Sequence, residues 1–246
     1  MPDSVFDDPR LAPLYDILDP DRSDLDTYLA IADEIGARSV LDVGCGTGTL
    51  GILLAERGIE VTGVDPAGAS LDVARSKPYA ERVTWIHGDA TTLPPLQVDL
   101  ATMTANVAQV FLTDEDWAAT LAGVYAALRP GGHLVFETRV PAVRAWEGWT
   151  PERTRATTDV PGLGPVTEWM EVTDVREDPL LVSFTAHNEF PDGEDVVSTS
   201  TLRFRSREEL DASLGRAGFD VREVRDAPDR PGREWVYLAH RPLSTA

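Results

Sequence analysis

The sequence of 246 residues contains a single cysteine, Cys45, and a single lysine, Lys77. One cysteine excludes an intrachain disulfide and a zinc site built from several cysteines. No apolar run approaches the roughly 18–20 residues that span a bilayer. The first ten residues, MPDSVFDDPR, lack a basic segment followed by an apolar one. No signal peptide is therefore predicted, and a cytoplasmic location is expected.

Positive charge is also scarce, because 22 Lys and Arg stand against 42 Asp and Glu, for a formal net charge of −20. Nucleic acids and anionic membrane surfaces need basic partners, so neither is expected here. Residues 1–37 hold 10 acids and 2 bases, and residues 141–205 hold 12 acids and 6 bases. This distribution favours a small-molecule partner that is neutral or cationic. The four histidines are scattered, and no metal site is expected. The oligomeric state is left open.

Short apolar runs rich in β-branched residues alternate with helical segments between residues 38 and 140. We predict strands at 39–44, 59–65, 82–89, 98–106 and 133–139. This alternation is typical of a parallel sheet with helical crossovers. Residues 9–37 predict helices interrupted at 19–22. Residues 141–205 predict an antiparallel insertion of about four strands. Residues 206–246 predict a capped helix followed by two more strands.

A glycine-rich turn follows the first predicted strand, in the sequence VLDVGCGTG at 40–48. Gly44, Gly46 and Gly48 would let the backbone approach a ligand closely. A dinucleotide turn would require glycine at position 49, where this chain has Thr49, and no lysine follows to form a phosphate-binding loop. Asp42 lies in an apolar strand, where a carboxylate needs a cation or hydrogen-bond donors. Asp65 ends the second strand, where a carboxylate can accept both hydroxyls of a ribose.

Four segments in this order, VLDVGCGTG, VTGVD, GDATTLP and LRPGGHLVFET, resemble the class I S-adenosylmethionine-dependent methyltransferases, in particular those acting on small molecules. The resemblance implies an α/β fold with a Rossmann-like, doubly wound seven-stranded sheet in the order 3-2-1-4-5-7-6, with strand 7 antiparallel. It implies an N-terminal helical lid at 1–37 and a methyltransferase core at 38–140 and 206–246. An antiparallel β insertion at 141–205 would then lie over the acceptor site.

The same resemblance implies S-adenosyl-L-methionine as cofactor and S-adenosyl-L-homocysteine as its product. Gly44, Cys45 and Gly46 would face the methionine part, Asp65 the ribose, and Asp89 with Ala90 the adenine. The complete set of expected cofactor-binding residues is Tyr15, Arg22, Asp42, Gly44, Cys45, Gly46, Gly48, Asp65, Pro66, Asp89, Ala90, Thr104, Ala105, Asn106 and Gln109. Cys45 is interpreted as a small residue of the turn rather than as a nucleophile.

The function predicted from the sequence is methyl transfer to a nitrogen or oxygen atom of a small-molecule acceptor. A hydroxyl acceptor needs a general base, whereas a neutral amine does not. His187 and Glu137 are the candidate catalytic residues, although positioning of the acceptor could suffice. Two alternatives remain open at this point. The first is methylation of a macromolecule such as protein or RNA, and the second is a non-catalytic S-adenosylmethionine-binding protein on the same fold.

Overall fold

The structure is a computed structural model that describes residues 3–243. The helices are α1 (Ser4–Asp7), α2 (Tyr15–Leu18), α3 (Asp26–Ile35), α4 (Thr49–Glu56), α5 (Gly68–Ser76), α6 (Asp114–Ala127), α7 (Pro151–Thr154) and α8 (Arg207–Arg216). The strands are β1 (Ser39–Val43), β2 (Glu60–Asp65), β3 (Val83–His87), β4 (Val98–Met103), β5 (Leu128–Arg139), β6 (Ala156–Val160), β7 (Gly164–Glu177), β8 (Leu180–Glu189), β9 (Asp195–Arg203), β10 (Asp220–Asp226) and β11 (Glu234–His240).

Seven strands form the main sheet in the order β3-β2-β1-β4-β5-β11-β10. Strands β1 to β5 pair in parallel, and β11 pairs antiparallel with both β5 and β10. Since β10 and β11 are the sixth and seventh strands of this sheet, the predicted order is confirmed. Some strand boundaries differ. Strand β5 begins at Leu128, which pairs with Val98, instead of at residue 133, and β4 ends at Met103 instead of at residue 106. The Pro-Gly-Gly sequence therefore forms an irregularity within the strand.

The hydrophobic core lies on both faces of the main sheet. On one face, Trp117 and Leu121 of α6 pack with Leu214 of α8. On the other, α3 and α4 bury their apolar side chains against β1 and β4. Two helices begin at N-cap residues that the sequence indicates. Thr113 caps α6, and Ser206 forms the predicted capping box of α8. Within residues 3–243, no helix is both long and apolar enough to cross a membrane.

A separate antiparallel sheet has the order β6-β7-β8-β9 and lies in the chain between β5 and α8. One apolar cluster joins it to the N-terminal segment through Leu11 and Leu14, which pack with Val160 and Val166. A second cluster contains Trp146, Val182 and Phe204. The antiparallel sheet therefore packs on the N-terminal segment and on the segment that follows β5.

Candidate active site

A pocket of about 680 Å³ opens where the parallel strands β1, β2 and β4 end. This volume lies within the roughly 300–1,000 Å³ that small-molecule and cofactor pockets occupy. The carboxyl edge of an open α/β sheet is the usual place for such a site. Of the residues expected from the sequence to bind cofactor, those that line the pocket are Tyr15, Arg22, Asp42, Gly44, Cys45, Gly46, Asp65, Pro66, Asp89, Ala90, Thr104 and Ala105.

The turn between β1 and α4 is held to the end of β2 by Asp65. One carboxylate oxygen of Asp65 accepts the Gly46 N–H at 2.8 Å, and the other accepts the Ala67 N–H at 2.7 Å. Gly46 has a φ of +52°, and a side chain added there would meet no protein atom within 4 Å. Gly46 therefore leaves open the space that a ligand would fill. Asp65 both shapes the turn and presents its carboxylate to the pocket, a double role that sequence spacing did not reveal.

Gly48 does not line the pocket, which corrects the expectation from the glycine pattern. A side chain there would come within 2.4 Å of the Trp85 ring and 2.8 Å of the Ala74 Cβ. Glycine is needed at this position because a side chain would collide with Trp85 and because the backbone has a positive φ of +79°. The last glycine of the pattern thus serves helix–sheet packing instead of ligand approach.

Asp42 is a buried carboxylate at the floor of the pocket. Its side chain accepts a hydrogen bond of 2.8 Å from the Thr102 hydroxyl. Burial raises the pKa of Asp42 to about 7, and the nearby charge of Asp65 adds to this effect. Ionised Asp42 would therefore be stabilised by a cationic ligand group in the pocket.

We predict that cofactor affinity depends on pH through Asp42. With a pKa of about 7 in the free protein, its ionised fraction rises between pH 6 and pH 7.5, where a cationic ligand binds more favourably. S-Adenosylmethionine should bind up to about tenfold more tightly at the upper end of this range. Isothermal titration calorimetry measures the affinity of the wild type and of Asp42→Asn at each pH. Protonation of the ligand affects both proteins equally, so the difference between their pH profiles reports on Asp42. Parallel pH profiles for the two proteins would contradict this assignment.

Cys45 and Tyr15 are protonated groups in the pocket at neutral pH. Burial, assisted by Asp42 and Asp65, holds the pKa of the Cys45 thiol well above its ordinary value. This favours the interpretation of Cys45 as a small residue rather than a thiolate nucleophile. Burial likewise raises the pKa of Tyr15, and the Arg22 guanidinium lies 5.9 Å from the centre of its ring. The Arg22 Nε also donates a hydrogen bond of 3.3 Å to the Asp24 carboxylate.

Asn106 and Gln109 do not line the pocket, which corrects their expected contact with cofactor. Both follow β4 and are buried, at 3% and 0% exposure. Asn106 donates its side-chain amide to Glu234 at 3.2 Å, and Gln109 accepts from Arg139 at 2.9 Å. Their side chains are therefore engaged in a buried polar network. Its effect on the pocket is indirect, through the turn that carries Thr104 and Ala105.

Glu137 belongs to the same network, which corrects its expected role as a catalytic base. Its carboxylate accepts hydrogen bonds from the Tyr28 hydroxyl and, at 3.2 Å, from the Asn106 N–H. Burial raises the pKa of Glu137. Asn106 has a φ of +61°, so this bond supports a backbone conformation that few residues other than glycine adopt. Glu137 supports the turn after β4 and does not line the pocket.

His187 is also outside the pocket, which corrects the second catalytic candidate. It lies on β8, where its ring stacks on Trp169 at 4.6 Å and its Nδ1 lies 2.7 Å from an oxygen of Asp195. No histidine is among the pocket-lining residues that the structure describes. Alternation along β8 places successive side chains on opposite faces, and the sequence did not reveal which face His187 occupies.

We expect His187→Ala to change the rate of methyl transfer by no more than about twofold, because His187 does not line the pocket and surface substitutions away from a site have small effects. A general base would instead contribute roughly 10²–10⁴-fold. The measurement is kcat/KM over a range of pH for the wild type and the variant. A loss of a hundredfold or more with unchanged cofactor affinity would restore His187 as a base.

Several pocket residues were not identified from the sequence. Phe6, Asp3 and Leu25 come from the N-terminal segment, and Thr199 and Thr201 come from β9. Part of the wall is formed by α6 and the turn before it, including Phe111 and Leu112. Thr199 and Thr201 alternate along β9, but nothing in the sequence indicated which face of that strand meets the pocket.

A family model described as a methyltransferase domain matches residues 40–132. A cypemycin N-terminal methyltransferase from a Streptomyces species is 35% identical over 109 residues, a match that spans 44% of each chain. A solved S-adenosylmethionine-dependent methyltransferase from Clostridium acetobutylicum superposes with a TM-score of 0.74 at 18% identity, over 95% of this chain and 98% of that one. An amino pentose methyltransferase from Micromonospora echinaspora, solved with S-adenosylmethionine bound, superposes with a TM-score of 0.66 at 25% identity. The match covers 89% of this chain and 92% of that one. The chain therefore carries a methyltransferase domain on the fold of the class I S-adenosylmethionine-dependent methyltransferases.

Proposed function

We propose that this protein transfers a methyl group from S-adenosylmethionine to a small-molecule acceptor, and that the acceptor atom is an amine nitrogen. The observation that carries the proposal is the glycine turn, where Gly46 is open to the pocket and Asp65 is fixed beside it. Two of the proteins described above are named for N-terminal and amino pentose methylation, which agrees with an amine acceptor.

The charge of the pocket supports a neutral or cationic acceptor. Its acidic lining residues beyond those assigned to the cofactor are Asp3 and Asp116, and its basic lining residue in the described chain, Arg22, is itself assigned to the cofactor. An acidic cavity attracts cations and opposes anions. A phosphorylated acceptor or a nucleic acid would therefore bind poorly, whereas an amine would be favoured.

The chemistry of an amine acceptor requires little from the protein beyond positioning. Bound S-adenosylmethionine supplies the methyl group. A protonated amine first releases a proton to solvent, and the lone pair of the neutral nitrogen then attacks the methyl carbon as the carbon–sulfur bond breaks, leaving S-adenosylhomocysteine and a methylated ammonium. Residues Thr104 and Ala105 shape the pocket at the end of β4, and Phe111 and Leu112 make part of its wall apolar. Such walls exclude water and hold the acceptor in line, which is the main contribution an enzyme makes to this reaction.

The proposal is tested by incubating the protein with S-adenosylmethionine carrying a labelled methyl group and with fractionated cell extract. Mass spectrometry then identifies the labelled product. We expect label on the nitrogen of a small neutral or cationic amine. Label on protein or RNA would assign a macromolecular acceptor. An acceptor with two or more phosphates would refute the charge argument. Cofactor binding without methyl transfer would indicate a non-catalytic protein.

A further inference from the structure

We propose that Asp16 is a positioning residue that fastens the N-terminal segment over the cofactor pocket and thereby sets how long cofactor stays bound. The cap is defined here as residues 3–25, of which Asp3, Phe6, Tyr15, Arg22 and Leu25 line the pocket. The inference rests on the proposed function only in that the occupant is S-adenosylmethionine or its product.

The cap holds the antiparallel sheet through apolar contacts. Leu11 and Leu14 are 3% and 5% exposed and pack with Val160 and Val166. Arg10 adds an ion pair to Glu194 in the β8–β9 turn, at 2.7 Å. Apolar burial of this kind is lost only when the whole contact opens. The cap is therefore expected to stay with the antiparallel sheet when the pocket opens.

The contact of α2 with the core is polar and centres on Asp16. The Asp16 carboxylate accepts hydrogen bonds from the hydroxyls of Thr47, at 2.9 Å, and Thr49, at 3.3 Å. Its other oxygen lies 2.6 Å from the Nζ of Lys77, which also donates to the Thr49 hydroxyl at 2.9 Å. Thr47 and Thr49 both line the pocket, so Asp16 joins the cap directly to the glycine turn.

Two weaker contacts secure the start of the cap to α5. The Ser70 hydroxyl donates to the Phe6 carbonyl at 2.7 Å, and the Ala69 N–H donates to the Asp7 carboxylate at 3.3 Å. Polar contacts that water can replace break and re-form more readily than a buried apolar cluster. Leu25, which ends the cap, is buried in the core beside α3 and anchors the cap there. We therefore expect the rest of the cap to separate from the core at the polar contacts, of which Asp16 makes the largest number.

Lys77 provides a direct readout, because it is the only lysine in the chain and the mass of its peptide separates its acylation from that of an α-amino group. Its amine is held by Asp16 and Thr49 in the closed state, so an amine-reactive acylating reagent should modify it more slowly than free Nα-acetyl-lysine. Asp16→Asn removes the carboxylate charge and should raise the labelling rate by about fivefold, a value reduced for the partial solvent exposure of the pair. Asp72→Asn is the matched control, since Asp72 lies on α5 and bonds Arg75 instead of Lys77.

The second measurement is the dissociation rate of S-adenosylhomocysteine by surface plasmon resonance. We expect Asp16→Asn and Lys77→Met each to raise this rate by about fivefold, and Asp72→Asn to leave it unchanged. Saturating ligand should also slow Lys77 labelling in the wild type.

The two proposals can fail separately. Labelling is measured without ligand, so a protein that binds neither S-adenosylmethionine nor its product would refute the proposed function while the labelling comparison still tests the fastening role. Equal Lys77 labelling of the wild type and Asp16→Asn, with both proteins folded by circular dichroism, would overturn the role of Asp16. Faster labelling without faster dissociation would overturn the link to cofactor release.

Discussion

Replacing Gly46 with valine is expected to abolish measurable binding of S-adenosylmethionine and S-adenosylhomocysteine. A Cβ at Gly46 meets no protein atom within 4 Å, so the new side chain would occupy the space left for ligand. The backbone at Gly46 also has a φ of +52°, which is unfavourable for a β-branched residue and would displace the turn. Calorimetric titration of the variant with both ligands measures the effect, and an affinity within tenfold of the wild type would place the ligand elsewhere.

Gly58→Val is the matched control for this substitution. Gly58 has a φ of +82° and also has open space around it, but it follows α4 and does not line the pocket. Both variants incur a backbone cost of about 1–3 kcal/mol, so their melting temperatures should fall by similar amounts. Only Gly46→Val should lose ligand binding. This comparison separates obstruction of the pocket from a general loss of stability.

Asp65→Ala is expected to weaken cofactor binding by at least about tenfold. The carboxylate of Asp65 would accept hydrogen bonds from the ribose, and bonds to charged groups contribute roughly 1.5–3 kcal/mol each. The same carboxylate holds the Gly46 and Ala67 N–H groups, so its removal also loosens the turn. The loss should therefore exceed that of a single ligand contact.

Two further variants, Asp65→Asn and Glu60→Ala, test whether the loss of cofactor affinity comes from the hydrogen bonds of the Asp65 carboxylate. Asparagine retains one carbonyl oxygen that can accept a hydrogen bond, so its affinity should lie between those of the wild type and Asp65→Ala. Glu60 is an exposed acid at the start of the same strand, and Glu60→Ala should bind like the wild type. A dissociation constant for Asp65→Ala equal to that of the wild type would show that the ribose lies away from β2.

Much of the fold could be predicted because its signals are local. The run SVLDV forms β1, the glycines after it form a turn, and Ser206 with Glu209 caps α8. The composition of each segment and its spacing along the chain specify such elements without knowledge of distant neighbours. The order of the main sheet followed from the resemblance, whose motifs lie in these same segments. The sequence likewise placed Asp65 at the end of the second strand, where a carboxylate can accept the hydroxyls of a ribose.

Other assignments depended on tertiary contacts between segments far apart in the chain. Gly48 faces Trp85, Glu137 supports Asn106, and His187 pairs with Asp195 on another strand. In each case the sequence supplied a residue type suited to ligand binding or catalysis, but packing gave it a structural partner. A strand sequence alternates between two faces, and only the docking of the sheet decides which face meets the pocket.

Local pattern and composition were enough to predict the strands, the glycine turn and the acidic character of the cap and insertion. Which side chains reach the pocket, and how the cap is fastened, depends on contacts made in the folded protein. Asp16, Thr47 and Lys77 are separated by about thirty residues each and meet only because folding brings Asp16 of α2 to the glycine turn and to the residue that follows α5. A hydrogen bond needs its atoms within about 3 Å, and that proximity is created by folding.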